Sequence, residues 1–257
     1  MSVEVIIATN RPVSNLVPVL ESYKEQSYKD FSIIIVTEGE TLSLINICNK
    51  IDIKNVNIFS IPKGTNNAGA SRNHAMMHAT GDIILFSDDD MVVSPDFIAE
   101  HVEIHRKNEN AIVRGLRYQK RVDGSFYLPH WEKVAMSHWN SQKREVAWAY
   151  FVTSNASVSS KLLKKAGDFD LNFEWSGCED TDLAYRLIKA GGQPIANNRA
   201  VNYHLGIDDV QSKFERRIKN FEYLQTKYPK DPSIKWFVRL TLRAIEKGQI
   251  NQLFMGE

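Results

Sequence analysis

Short apolar, β-branched runs that alternate with helix-like stretches constrain the fold of this sequence more than any other feature. Four such runs lie at residues 3–8, 31–36, 56–61 and 83–86. Apolar side chains at helical spacing separate them and predict helices around residues 42–51 and 70–79. This alternation predicts βαβ units, and therefore an α/β fold with a mostly parallel sheet and flanking helices.

Polar loops follow three of these runs, at residues 9–12, 37–40 and 87–90. The carboxyl ends of parallel strands meet at one edge of a sheet, and ligands of open α/β folds bind in the crevice beyond that edge. We therefore expect the three loops to converge there. The acidic triplet of the third loop would then lie where chemistry is expected.

The second half of the chain is less regular. It predicts a strand at 112–118, helices at 161–166 and 179–190, and an extended run before His204. Residues 119–148 carry aromatic and basic side chains without a clear period, which indicates an irregular insertion or a substrate-facing lobe. Two amphipathic helices, at 210–228 and 233–247, are expected to form a C-terminal helical tail.

Charge and cysteine content argue against several classes of protein. Lys and Arg number 32 against 31 Asp and Glu, so no global field would recruit nucleic acid, and no nucleic-acid partner is expected. Cys48 and Cys178 form neither a disulfide framework nor a zinc knuckle, and they predict two buried thiols in a reducing compartment. Because no apolar run is long enough to span a bilayer and the first residues lack a basic leader, a cytoplasmic location is expected.

Asp88, Asp89 and Asp90 are three adjacent carboxylates directly after a buried run. Two like charges about 4 Å apart repel by roughly 4 kcal/mol at an effective dielectric of about 20, and a divalent cation relieves that repulsion. Oxygen ligands favour Mg²⁺ or Mn²⁺, which complete their shells with water and phosphate oxygens. A solvated loop remains the alternative interpretation of the triplet.

A second acidic group, Glu179, Asp180 and Asp182, opens a predicted helix. The preceding Ser-x-x-Glu spacing matches a capping box, and Asp182 can pair with Arg186 one turn on, so helix stability alone accounts for these acids. The nearby aromatic Trp175 favours a second interpretation, because aromatic faces beside carboxylates commonly grip sugar rings. Asp180, next to the apolar face of the helix, would then be partly desolvated and suited to act as a base.

His204 and Arg72 complete the candidate set. An imidazole beside carboxylates tilts a metal site toward Mn²⁺, although a lone histidine is more commonly structural. Arg72 lies in a loop-to-helix segment where backbone N–H groups and a guanidinium can hold a phosphate. By contrast, His101 and His105 have no third ligand at their spacing and are expected to be solvated. Neither a P-loop nor a dinucleotide-binding glycine motif is present.

The order of these motifs resembles that of a known family. From the amino end they are residues 8–12, 37–39, 67–73, 79–90, 153–156, 167–170, 179–187 and His204. Residues 3–205 thereby resemble the GT-A-fold, nucleotide-sugar-dependent glycosyltransferases of the family-two type. The resemblance implies a Rossmann-like, mostly parallel twisted sheet with flanking helices, followed here by the C-terminal helical tail.

The same resemblance implies roles for the matching residues. The implied nucleotide-sugar-binding residues are Thr9, Arg11, Glu38, Arg72, Asp88 and Asp89. The implied ligands of a Mn²⁺ or Mg²⁺ cofactor are Asp88, Asp90 and His204, the implied catalytic base is Asp180, and the implied acceptor-binding residues are Trp175, Glu179 and Asp182. Residues 1–118 would form the nucleotide-sugar-binding half of one domain, 119–208 its acceptor-binding half with a lid at 119–148, and 209–257 the tail.

Two positions depart from the family's usual pattern. An aromatic residue usually separates the threonine and asparagine of the first loop, whereas Asn10 directly follows Thr9. The second strand usually ends in two aspartates, whereas here it ends in Thr37 and Glu38. Glu38 still offers an acceptor for a uracil N–H, so these departures bear on the nucleotide base and not on the fold.

The activity implied by the resemblance is metal-dependent, inverting transfer of a hexosyl or N-acetylhexosaminyl group. The donor would be a nucleotide diphosphate sugar, preferentially a UDP-sugar, and the acceptor a hydroxyl of a carbohydrate or glycoconjugate. Three alternatives stay open: a retaining GT-A transferase, which needs no base at Asp180, a non-catalytic nucleotide-sugar- or glycan-binding scaffold, and a sugar-1-phosphate nucleotidyltransferase. The basic and aromatic tail would pack on the catalytic domain or a partner protein, or dock peripherally at the inner face of a membrane.

Overall fold

A computed structural model describes residues 1–39, 41–65, 67–140, 144–174, 177–206 and 217–249. Its strands are β1 (Val3–Thr9), β2 (Phe31–Glu38), β3 (Val56–Ile61), β4 (Ile83–Asp88), β5 (Met91–Val93), β6 (Ala111–Lys120), β7 (Phe126–Tyr127), β8 (Asn155–Ser159) and β9 (Gln193–His204). Its helices are α1 (Val17–Lys24), α2 (Leu42–Ile51), α3 (Ala68–His78), α4 (Phe97–Lys107), α5 (His130–Asn140), α6 (Ser160–Ala166), α7 (Glu179–Lys189), α8 (Ile218–Lys227) and α9 (Pro232–Glu246).

The strands form one mixed sheet in the order β3-β2-β1-β4-β8-β6-β9-β5, with β7 paired to β6. The first four strands are mutually parallel, as the sequence predicts. Thr9 of β1 lies opposite Thr37 of β2, and Ala8 lies opposite Asp88 of β4. This register brings the three polar loops to one edge of the sheet.

The remaining strands extend the sheet beyond β4, and they run both parallel and antiparallel to their neighbours. Strand β8 is antiparallel to β4 and to β6, β6 is parallel to β9, and β5 is antiparallel to β9. Met91 of β5 pairs directly with His204 of β9. The strand pair β5–β9 therefore fixes the end of the acidic triplet next to the distant histidine.

Apolar side chains cover both faces of the parallel strands, which explains their continuous β-branched sequences. Along β1, Val5 and Ile7 belong to the core under α1, α2 and α4, whereas Ile6 belongs to the opposite core with α7 to α9. Cys48 and Cys178 are buried free thiols, as predicted. None of the helices in the described part of the chain is long and apolar enough to cross a membrane.

The interpretation of residues 119–148 as an irregular insertion was wrong for the part that the structure describes. This segment contains α5, and Trp139 and Trp148 are both almost fully buried in the main core. A completely buried ion pair joins Glu132 of α5 to Arg114 of β6, with a nitrogen to oxygen distance of 2.7 Å. Charged residues interrupt the apolar period of this segment. The sequence does not reveal that they are buried, because the partner that neutralises each of them is distant in sequence.

The expectation that His101 and His105 are solvated was also wrong. Both rings are buried under β8, and each has a nitrogen 2.8 Å from the hydroxyl oxygen of Ser157. Burial lowers the pKa of His101 to about 3 and that of His105 to about 4. The sequence spacing could not reveal this, since the hydroxyl partner lies more than fifty residues away.

Candidate active site

A cavity of about 510 Å³ opens beyond the carboxyl ends of β1, β2 and β4. The predicted site residues in its wall are Thr9, Arg11, Glu38, Arg72, Asp88, Asp89, Asp90, Glu179, Asp180 and His204. They come from six separate stretches of sequence. The acidic triplet, the acidic group of α7 and His204 therefore face a single cavity.

Asp90 and His204 form a buried pair at one side of the cavity. His204 Nε2 lies 3.0 Å from Asp90 Oδ2, and His204 Nδ1 lies 2.8 Å from Oε1 of Gln119. The Gln119 amide nitrogen donates to the Gly206 carbonyl at 2.6 Å, which orients its oxygen toward the ring. The Nδ1–H held by Gln119 fixes the orientation of the ring, and Nε2, which in this structure can donate to the Asp90 carboxylate, is the nitrogen that would bind a metal ion.

Arg11 contributes the positive charge beside this pair. Its guanidinium donates to Asp90 Oδ2 and lies 3.5 Å from Asp89 Oδ1. Burial by itself would raise the pKa of Asp90, but the hydrogen bond and charge of His204, together with Arg11, lower it to about 2. Asp90 is therefore an anion throughout the physiological range.

The chemistry of this donor set fits a hard divalent cation. Carboxylate oxygens and one imidazole nitrogen suit Mn²⁺ or Mg²⁺, and the Gln119 contact is the outer support that such a histidine ligand needs. Within the described residues, side chains of His, Cys, Asp and Glu do not form a cluster of three or more that could hold a metal ion. Arg11 and Arg72 instead hold the carboxylates of Asp90 and Asp88.

Asp89 is anchored to the first loop. Thr9 Oγ1 donates to Asp89 Oδ2 over 2.6 Å. Burial raises the pKa of Asp89 to about 6, although the Thr9 hydrogen bond and the Arg11 charge act in the opposite direction. Asp89 therefore ties the third polar loop to the first.

Arg72 bridges the two acidic groups. Helix α3 begins after Asn67, whose side chain accepts a hydrogen bond from the Ala70 N–H. One turn on, the buried Arg72 guanidinium donates to Asp88 Oδ1 at 2.9 Å and to Glu179 Oε1 at 3.3 Å. The arginine thus fixes α7 relative to the acidic triplet.

Asp180 differs from its neighbours in having little support for its charge. Within the described part of the chain, Thr181 supplies its hydrogen bonds, chiefly a backbone N–H to Oδ1 at 2.7 Å. Burial raises the pKa of Asp180 to about 7, and the charge of Glu179 adds to the effect, whereas Arg217 and Arg72 oppose it. A carboxylate with this pKa can accept a proton near neutral pH.

The cavity does not include all of the predicted acceptor residues. Asp182 is fully buried outside it, where it pairs with Arg186 at 2.8 Å and accepts a hydrogen bond from Tyr228 at 2.7 Å. Asp182 thus holds α7 against the end of α8. It does not line the cavity, where the resemblance implied that it would bind the acceptor substrate. Trp175 and the Ser176 of the expected capping box lie outside the described residues, and Cys178 is the residue that precedes α7.

The cavity is also lined by residues that no sequence motif indicated. Arg117 and Trp131 stack 4.7 Å apart on one side, and Phe237 and Arg217 reach in from the tail. A Cβ on Gly177 would lie 2.2 Å from Arg217 Nε, so the glycine makes room for this arginine. For the tail residues, the sequence offered one signal, the concentration of basic and aromatic residues. This signal does not tell which of these side chains face the cavity.

Sheet, cavity and acidic groups together define a GT-A-type glycosyltransferase, and the solved structures with this fold agree. S. aureus TarS 1–349 superposes with a TM-score of 0.65 at 16% identity, over 88% of this chain and 66% of that chain. The mannosyltransferase PcManGT from Pyrobaculum calidifontis, in complex with GDP-Man and Mn²⁺, gives 0.68 at 17% identity, over 95% and 69%. Identities this low show a common fold.

The sequence matches the model of Glycosyl transferase family 2 over residues 4–168. It is 25% identical to the uncharacterized glycosyltransferase YfnE of Bacillus subtilis (strain 168), over 89% of this chain and 71% of YfnE. It is also 25% identical to the amylovoran biosynthesis glycosyltransferase AmsB of Erwinia amylovora, over 80% of this chain and 70% of AmsB. The chain belongs to glycosyl transferase family 2 and is a glycosyltransferase.

Proposed function

We propose that this glycosyltransferase is metal-dependent and inverting, and that it transfers a sugar from a UDP-sugar to a hydroxyl of a carbohydrate or glycoconjugate acceptor. The observation that carries the proposal is the common cavity of Asp90, His204 and Asp180. It combines a permanently anionic carboxylate with one whose pKa is about 7. Environments that separate the pKa values of two carboxyl groups are how one site provides both an anion and a base.

Asp180 is proposed as the general base. It would take the proton of the acceptor hydroxyl while that oxygen forms a bond to the anomeric carbon of the donor. The bond from the anomeric carbon to the diphosphate oxygen breaks at the same time, and the electron pair leaves with the nucleoside diphosphate. A single displacement on the face opposite the leaving group inverts the anomeric configuration.

Asp90 and His204, with Asp88, would hold a divalent cation at the donor diphosphate. Such an ion neutralises the charge that develops on the leaving diphosphate. Arg11, which donates to Asp90 in this structure, would exchange that contact for a diphosphate oxygen. The proposal receives support from PcManGT, whose solved structure is a complex with GDP-Man and Mn²⁺.

The nucleotide would bind against the first two polar loops. Thr9 and Glu38 both line the cavity, and Glu38 Oε2 accepts a hydrogen bond from the Gly64 N–H at 3.0 Å, which orders the loop after β3. A carboxylate there can accept a hydrogen bond from a uracil N–H. TarS 1–349, which has the same fold, has been solved in complex with UDP. Since nucleotide sugars are made in the cytoplasm, we propose that location.

The first experiment identifies the donor by thermal shift. UDP- and GDP-sugars are screened with and without Mn²⁺, because a ligand that binds the native state raises the melting temperature. The proposal expects a UDP-sugar to stabilise the protein more in the presence of the metal. A shift confined to GDP-sugars would refute the UDP assignment, and equal shifts without metal would refute the metal requirement.

The second experiment tests the chemistry with the donor found. Release of nucleoside diphosphate is measured with candidate acceptors, and the product's anomeric proton is read by NMR. Retention of configuration would refute the inverting mechanism. Exposed Asp123, in the β6–β7 turn, provides the matched control, since Asp123→Asn removes a carboxylate outside the cavity and is expected to keep full activity. A protein that binds the donor but never releases diphosphate would be a scaffold instead.

A further inference from the structure

The outward face of α9 carries an unusual row of charge. Lys235, Arg239, Arg243 and Lys247 repeat every four residues and are all exposed. None of the four forms an ion pair with any other described residue. Like charges at this spacing destabilise a helix, so the row contributes nothing to the stability of α9 through pairing along the helix.

Two large apolar side chains lie beside this row. Trp236 is 48% exposed and Leu240 is 38% exposed, one turn apart on the same helix. Trp236 is followed by Phe237, which faces inward and lines the active-site cavity. An exposed tryptophan and leucine flanked by cations match the composition of helices that lie in a membrane interface.

The inner face of α9 is already occupied. Ile234, Val238, Thr241 and Ala244 are buried against the body of the protein, and Asp231 caps the helix by accepting from the Ser233 and Ile234 N–H groups. The helix therefore does not depend on the outward face for its packing. That face is available for a partner without unfolding the tail.

The row of cations on α9 contrasts with the nearly neutral charge of the whole chain. Basic and acidic residues almost cancel, with a formal net charge of +1. The cations of α9, which have no ion-pair partner among the residues that the structure describes, thus produce a local positive field on one side of a nearly neutral molecule. A groove between α8 and α9 adds to it, since Lys235, Arg239 and Arg243 line it with Gln225, and Glu246 is its acid.

We propose that the outward face of α9 docks on an anionic lipid bilayer. Trp236 and Leu240 enter the headgroup region, and the row of cations contacts the anionic headgroups. Charge complementarity selects a bilayer surface as the occupant, because several exposed cations along one helix match a flat, diffuse negative charge. Docking in this orientation brings the wall of the cavity formed by Phe237 close to the lipid surface.

The test is co-sedimentation with vesicles, a readout that does not depend on catalysis. Purified protein is mixed with vesicles of phosphatidylcholine alone or with about 30% phosphatidylglycerol, at low and high salt. The proposal expects binding to the anionic vesicles, weakened by salt, with a blue shift of tryptophan emission that Trp236→Ala abolishes. Wild-type protein that stays in the supernatant with both vesicles would overturn it and leave the face to a protein partner.

Two matched triple variants establish where the binding resides. Lys235→Gln, Arg239→Gln and Arg243→Gln together should reduce partitioning about a hundredfold, since each cation near an anionic surface contributes roughly a fivefold factor. The control neutralises three exposed lysines of α6, with Lys161→Gln, Lys164→Gln and Lys165→Gln, and should bind like wild type. Equal loss in both variants, or in neither, would refute docking through α9. Melting temperatures check that every variant is folded.

Discussion

Replacement of Asp180 by asparagine should raise the stability of the fold above neutral pH and, at the same time, lower the enzymatic activity. In the folded protein burial raises the pKa of this carboxyl from its ordinary 3.8 to about 7. A group with a raised pKa stabilises the fold below its unfolded pKa, and that stabilisation is lost as pH rises through the folded value. Above neutral pH the native state must therefore keep a charge that its surroundings disfavour.

The magnitude follows from the size of the shift. About three pKa units, at 1.36 kcal/mol each, correspond to roughly 4 kcal/mol of cost when Asp180 is ionised. Asparagine has nearly the same shape and can still accept the Thr181 N–H, but it carries no charge. Asp180→Asn should thus be more stable than wild type by about 1–4 kcal/mol near pH 8, and equally stable near pH 4.

Urea denaturation at the two pH values measures the stability, and diphosphate release measures turnover. Loss of a general base should lower turnover by about 10²–10⁴ while donor binding remains nearly unchanged. An Asn variant that is less stable than wild type near pH 8 would contradict the assignment, since it would mean that the carboxylate is a structural anion. Wild-type turnover in this variant would contradict its role as base.

Three further predictions concern charges whose partners the tertiary structure supplies. Arg217→Gln removes a positive charge that lowers the pKa of Asp180, so the acidic limb of the pH–rate profile should move to higher pH, as initial rates across the pH range would reveal. Glu132→Gln leaves Arg114 as a buried charge without its 2.7 Å partner and should cost about 3–5 kcal/mol in urea unfolding. His101→Asn should be destabilised at neutral pH, but that penalty should shrink by about 1.4 kcal/mol per pH unit as the pH falls below 6.5, because unfolded wild type takes up a proton there and the variant does not.

Each of these predictions has an outcome that contradicts it. A limb that stays in place or moves to lower pH would show that Arg217 does not act on the base. The control for the buried pair is Glu103→Gln, which removes an exposed partner of Lys107 and should change stability by less than about 1 kcal/mol. Similar losses for the two glutamates would refute the burial argument. A His101→Asn penalty that is constant with pH would refute the lowered pKa.

The parallel half of the sheet could be predicted from the sequence almost to the residue. The runs that became β1, β2 and β4 are rich in β-branched and other apolar residues because both of their faces are buried, and this requirement is visible locally, whereas β3 at the edge is only partly buried. Helices α2 and α3 were likewise predictable from apolar spacing. That Asp88, Asp90, Asp180 and His204 share one cavity was expected as well, because strand ends and motif order are properties of the chain, and their roles stay predictions.

Burial of polar residues could not be predicted in the same way. Asp182 and Asp180 have the same chemistry and are two residues apart, yet one is locked to Arg186 and Tyr228 and the other faces the cavity. Helix α5 and the His101 cluster were missed for the same reason. Their polar side chains are satisfied by partners brought close only after the sheet has formed.

The sequence by itself determined the type of sheet, the edge at which the polar loops meet and the kinds of side chain available there. Only the tertiary structure decided which carboxylate is neutralised by Arg11 and His204, which one is left with a pKa near 7, and which face of α9 stays exposed. The physical reason is that periodicity reflects local backbone geometry, whereas the free energy of a charge depends on the solvent and charges around it in three dimensions.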